Sequence, residues 1–158
     1  MKSPGDEPRI LPMVPPRGLL ESILDEVCAE RRSRGLPTCT VTLDVADRHV
    51  LQVDPPTIRD VLRALLARAL ENAQQADAKS DGPAVHEVVV TSIEHADSIE
   101  IEIADSGPVS APAAVIADSK LQGLLDIIGG KLTAASCPEG GSALTVRLPH
   151  RRLRRLAA

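Results

Sequence analysis

Asn72 lies near the end of an ALENAQQAD run of good helix formers, with Glu71 beside it. A side-chain amide carbonyl is a hard oxygen suited to Mg²⁺, which uses few protein ligands and completes its shell with phosphate and water. Asp105 ends the alternating run SIEIEIAD and leads straight into Ser-Gly-Pro. A carboxylate at a strand end, beside a glycine that permits close backbone approach, can accept from the exocyclic amine of adenine and disfavours the carbonyl of guanine. In LQGLLDIIGGKL, Gly123 falls at the expected start of a short helix, where unpaired backbone N–H groups favour anions. Singly, each feature also has an ordinary reading as a solvent-facing Asn, an Asp-Ser-Gly-Pro turn, or a helix followed by a hairpin.

A long helix and a sheet must position these groups. Asp54 followed by two prolines is a helix N-terminus, and Ile58, Val61, Leu62, Leu65, Leu66, Ala69, Leu70 and Ala73 then mark one apolar face of a helix from about Pro55 to Ala78. An earlier helix starts at Pro16, with Leu19, Leu20, Ile23, Leu24 and Val27 at helical spacing, and Gly35 and Pro37 stop it. Alternation predicts strands over Thr38–Val45, Val50–Val53, His86–Ile93 and Ser98–Asp105, the last two joined as a hairpin. A short helix over Lys120–Ile128 precedes a final hairpin, KLTAASC and SALTVRLP around PEGG. The order predicts an α/β (α+β) two-layer sandwich: a mixed sheet of five to six strands with three helices on one face. Residues 1–15, with four prolines and a glycine, read as a lead-in, 16–149 as the domain, and 150–158 as a basic tail.

Composition narrows the function. The chain has 158 residues, 43% hydrophobic and 25% charged, which suits one globular domain. Arginines interrupt the longest apolar runs, so no membrane span is expected, and the acidic, proline-bearing start does not resemble a signal peptide. A cytoplasmic protein is the expectation. There is no Phe, Trp or Tyr and the net charge is −4, which together disfavour nucleic acid as a partner. Cys28, Cys39 and Cys137 are scattered without CxxC spacing, so they read as small buried hydrophobes; neither zinc nor a disulfide framework is expected, and nothing suggests haem. His49, His86, His95 and His150 read as surface residues, and none sits in a helical phosphoacceptor pattern.

From about Pro16 to Pro149 the chain resembles the catalytic ATP-binding domain of histidine kinases, within the superfamily shared with gyrase, Hsp90 chaperones and MutL. VDPPTIRDVLRALLARALENAQQA resembles the asparagine-box helix, with Asn72 on the magnesium-binding asparagine. IEIADSGP resembles the first glycine box, with Asp105 on the adenine-recognising aspartate and Gly107 on its glycine. GGKLTAAS and EGGSALTVRLP resemble the closing strands, with Ser142 where a threonine near adenine is usual. The resemblance implies ATP and Mg²⁺ as ligands, the metal held by Asn72 through the nucleotide phosphates. It also implies a protein partner, either a response regulator or a phosphoacceptor domain, and allows a homodimer.

The departures fall on the phosphate side. One turn before Asn72, where the family carries a second polar residue, stands Arg68, which can touch phosphate but cannot bind a metal. Pro108-Val109 replaces a glycine, only residues 106–122 separate Asp105 from Gly123 so the long lid is cut back, and Gly123 is all that remains of the second glycine box. Glu71 and Arg68 are the candidate catalytic residues, Glu71 by orienting a metal-bound water. Three functions compete: an ATP-binding signalling domain in a two-component-type pathway, a pseudokinase-like interaction module that has lost nucleotide, and an anti-sigma-factor-type serine kinase. If active, the chain would be a phosphotransferase component lacking its own phosphoacceptor histidine.

Overall fold

Two proline pairs set the helix starts. In this computed structural model, which describes residues 10–76, 83–108, 116–138 and 140–150, a two-residue strand β1 (Met13–Val14) leads through Pro15 into α1 (Pro16–Ser33). Leu20, Ile23 and Val27 of α1 are buried at three- and four-residue spacing, and Arg31 follows on the same face, donating to the side-chain carbonyl of Gln74. Strand β2 (Thr40–Asp44) follows, then β3 (Leu51–Gln52). The long helix α2 (Pro55–Gln74) opens on Asp54, whose Oδ2 accepts from Thr57 N at 3.3 Å and Thr57 Oγ1 at 2.6 Å. Strands β4 (Glu87–Glu94) and β5 (Ser98–Asp105) form the expected hairpin, followed by α3 (Ser119–Ile128) and the hairpin β6 (Lys131–Ser136) and β7 (Ser142–Pro149).

The main sheet has five strands in the order β2-β4-β5-β7-β6; β2 runs parallel to β4 and every other pair is antiparallel. Helix α2 packs on β4 and β5, with α1 and α3 on its flanks. Ile99, Ile101 and Ile103 of β5 meet Leu62, Leu65, Leu66 and Leu70 of α2 in a wholly aliphatic core. The sandwich predicted from the order of elements is the observed fold.

Three details differ from the sequence expectations. The lead-in is not free up to Pro15, because Met13–Val14 pairs with β3 and Val14 is buried, so β3 forms a separate two-stranded ribbon and not a sixth strand of the main sheet. His49 is no surface residue: it is 3% exposed, with Nδ1 2.8 Å from Ser92 Oγ, because the turn after Ala46 folds it under β4. Cys28, Cys39 and Cys137 are free and half-buried instead of fully buried. Residues 1–9, the last residues expected of α2 (77–78), Val109, Glu139 and the tail after His150 lie outside the described residues. No helix among the described residues is long and apolar enough to cross a membrane.

Asp54 satisfies one amide at the start of α2 and also holds the Thr57 hydroxyl. Asp54→Ala is expected to lower stability by about 1 kcal/mol, read as a lower urea midpoint with an unchanged m-value.

Candidate functional site

Strand parity aims Asp105 inward. Alternate residues of β5 share a face, so Asp105 follows Ile99, Ile101 and Ile103 on the helix-facing side. The register pairs Asp105 with Val88 on β4 and with Ser142 on β7. Its side chain is therefore 8% exposed, turned from bulk water at the point where the sheet meets the last turn of α2.

The carboxylate is held by three donors. Asn72 Nδ2 donates to Asp105 Oδ1 at 2.6 Å, Gly107 N donates to the same oxygen at 2.9 Å, and the Ser142 backbone N–H also donates to the carboxylate. Asn72 Nδ2 donates again to Pro108 O at 3.0 Å. Both amide hydrogens are thus engaged, and the amide carbonyl remains as the atom able to ligate a hard cation. Burial pushes the Asp105 carboxyl above its ordinary 3.8, opposed by the hydrogen bonds from Gly107, Asn72 and Ser142.

Two glycines make this packing achievable. A Cβ on Gly107 would lie 2.1 Å from the backbone carbonyl oxygen of Asn72. Gly141 has φ +91°, and a Cβ there would lie 1.9 Å from the carbonyl oxygen of Asp105. Ser106 locks the strand end to the start of β4: its Oγ accepts from Glu87 N at 2.9 Å and donates to Val85 O at 2.6 Å, while its N–H donates to Glu87 O at 3.0 Å.

Toward α3 the polar chemistry is different. Arg68 Nη2 lies 2.7 Å from Asp118 Oδ2. Asp118 is the N-cap of α3, and its Oδ1 accepts from Lys120 N and Leu121 N, each at 3.1 Å. The Leu121 N–H bond, the largest influence, holds the Asp118 carboxyl below its ordinary value against desolvation, with Arg68 and the Lys120 N–H adding to the lowering. A groove of about 350 Å³ runs between α2 and α3, lined by Asp60, Arg63, Ala64, Ala67, Asp118 and Leu121 among others.

No family model matches the sequence, and no curated protein sequence matches it. Solved structures do resemble the fold. The catalytic domain of histidine kinase ThkA superposes with a TM-score of 0.67 at 15% identity, over 87% of this chain and 94% of that one. The mycobacterial sensor histidine kinase MprB gives 0.66 at 16% identity, over 87% and 97%. The ATP binding domain of PrrB from Mycobacterium tuberculosis gives 0.66 at 19% identity, over 87% and 96%. This chain has the fold of a histidine-kinase catalytic domain. ThkA is also solved in complex with the response regulator protein TrrA.

On this histidine-kinase-type fold, the structure gathers four of the sequence candidates: Asp105, Gly107, Asn72 and the Ser142 backbone meet at one point. Three others stand apart. Arg68 turns to Asp118, Glu71 is exposed on the next position round the helix, and Gly123 is an exposed mid-helix residue of α3 with no neighbour within 4 Å of its Cβ position. Gly123 is displaced from the helix start because the Asp118-Ser119 cap begins α3 four residues before it. Sequence reasoning missed Ser106, Gly141 and Asp118. An Asp-Ser pair before a helical pattern is an N-cap signal, and the Gly-Gly doublet next to Ser142 marked a backbone needing room.

Two outcomes follow from the geometry. Because the folded Asp105 binds its proton more tightly than the unfolded chain does, its contribution to stability declines as pH rises from 3.8 through its elevated folded value. Asp97 and Asp118, whose folded values are lowered, act in the opposite sense below 3.8. Urea midpoints of the protein and of Asp105→Asn, compared from acid to neutral pH, should therefore diverge in favour of the variant as pH rises through that upper window. Gly107→Ala should cost about 1–3 kcal/mol of stability through overpacking against Asn72, measured by the same denaturation.

Proposed function

We propose that this chain is an adenine-nucleotide-binding domain of histidine-kinase-type signalling, and that binding rather than phosphoryl transfer is the work of its retained residues. The observation that carries the reading is Asp105, a carboxylate buried at the end of β5 with its pKa pushed upward. Burying a carboxylate opposes folding unless it is well bonded, and perturbed titratable groups cluster at functional sites. The residues bonded to it, Asn72 and Gly107, are the ones the family resemblance marks for nucleotide.

In this reading the Asp105 carboxylate accepts from the exocyclic amine of adenine, and Gly107 leaves the backbone open to the edge of the base. The chain has no Phe, Trp or Tyr to stack on the base, so in this reading aliphatic side chains pack its faces and the polar edge contact carries the selectivity. Asn72 offers its amide carbonyl to Mg²⁺, the cation expected with ATP or ADP; a bound Mg²⁺ would neutralise phosphate charge. Glu71 is exposed beside it and would reach only a metal-bound water. Efficient phosphoryl transfer relies on closely placed positive charge, and Arg68, the nearest cation along α2, is paired with Asp118. A response regulator or a phosphoacceptor domain is the protein partner this reading requires.

A second reading, an interaction module without a ligand, is favoured by one observation: both amide hydrogens of Asn72 and the carboxylate of Asp105 already have partners inside the protein. Calorimetric titration with adenine and guanine nucleotides decides between them. Adenine compounds are expected to bind, the guanine counterparts to bind at least about tenfold more weakly, and Asp105→Asn to lose about tenfold or more of the adenine affinity. Absence of heat with every adenine compound at high concentration would leave the interaction module as the function.

A further inference from the structure

Asp118 gives the site a built-in anion. Its Oδ1 takes the Lys120 and Leu121 amides at the start of α3, both at 3.1 Å, and its Oδ2 takes Arg68 at 2.7 Å. Backbone amides at a helix start and a guanidinium are groups of the kind that bind phosphate, and here all three hold Asp118 instead. Arg68 and Asn72 are one helical turn apart on α2, about 6 Å along the axis. A phosphate tail that leaves a base at Asp105 and passes Asn72 therefore comes next to the Arg68–Asp118 clasp.

We propose that Asp118 is a specificity-determining residue that excludes a polyphosphate tail, so that the site takes adenosine or adenosine monophosphate in preference to ATP. The inference rests on the adenine-binding reading above and adds which phosphorylation state is accepted. A first phosphate still lies near Asn72. Further phosphates meet a carboxylate whose own charge is stabilised by α3 and by Arg68, and the like charges repel. The ground beyond the clasp gives little relief. Asp60 and Asp118 both line the groove between α2 and α3, and Arg63 within it is already paired with Glu26 at 3.1 Å and Glu30 at 2.7 Å. Among the described residues the other cation lining it is Lys120, whose charge sits on a flexible, exposed side chain.

Asp118→Asn separates charge from structure, because asparagine is as good an N-cap as aspartate and keeps α3 started at the same place. The experiment is calorimetry of the protein and of this variant with adenosine, AMP, ADP and ATP, each with and without magnesium. For the unaltered protein, adenosine and AMP should bind with similar affinity and ATP about tenfold more weakly. The variant should bind ATP about tenfold more tightly than the unaltered protein does, with adenosine unchanged. ATP binding as tightly as AMP, or an ATP-to-adenosine ratio that Asp118→Asn leaves unmoved, overturns the exclusion while the adenine reading stands. Failure of all four compounds to bind either protein overturns the adenine reading, and the exclusion with it.

Discussion

A carboxylate placed inside the protein at the end of a strand is the constraint from which the rest of this site follows. Asp105 is on the core side of β5 because its position has the same parity as Ile99, Ile101 and Ile103. Left unbonded there it would be costly, so the chain surrounds it with donors: Gly107 from the turn, Asn72 from α2 and the Ser142 backbone from β7. Each donor imposes a further condition. α2 must end within reach of the strand, the turn must approach that helix closely enough to demand glycine at 107, and β7 must reach the strand end through a glycine at 141. The aliphatic core between α2 and β5 holds those two elements at the required separation.

Much of this was legible in the sequence. Two periodicities, helical from about 55 to 78 and alternating over 98–105, placed Asn72 near a helix end and Asp105 at a strand end, and the turn residues after Asp105 identified Gly107; the described helix runs over Pro55–Gln74. What stayed hidden depends on pairing at long sequence distance. Gly141 matters only because β7 pairs with β5 in the register that sets Ser142 opposite Asp105, and no local pattern specifies that register. Strand β3 falls within the strand expected over Val50–Val53, but its partner β1 was missed, because two residues at 13–14 carry too little alternation to read. His49 was misjudged because burial of a turn residue is decided by which strand the turn folds against, here β4 through Ser92.

Asp118 was hidden for a different reason. The Asp-Ser pair at 118–119 carries an ordinary capping signal, and a cap is a local feature worth about 1 kcal/mol. Its other half, Arg68, is 50 residues away in the chain. Only the packing of α3 against α2 turns a helix cap and a helical arginine into one ion pair. A single half-exposed ion pair of this kind adds little to stability. Its consequence is chemical, since it decides which charges at that end are available to anything else.

Helix α2 therefore acts as a ruler with two marks. At Asn72 it faces an internal carboxylate with a neutral amide, whose hydrogens face inward while its carbonyl accepts from no group among the described residues. One turn earlier, at Arg68, it presents a full positive charge that is cancelled by Asp118. Recognition of a neutral base needs oriented hydrogen-bonding groups of modest charge, which the first mark supplies. Stabilising a transferring phosphoryl group needs uncompensated positive charge at a fixed distance, which the second mark has surrendered. Under the proposed adenine-binding reading, the same helix and the same sheet serve a base at one end while the charge one turn away is closed off by the protein's own side chains.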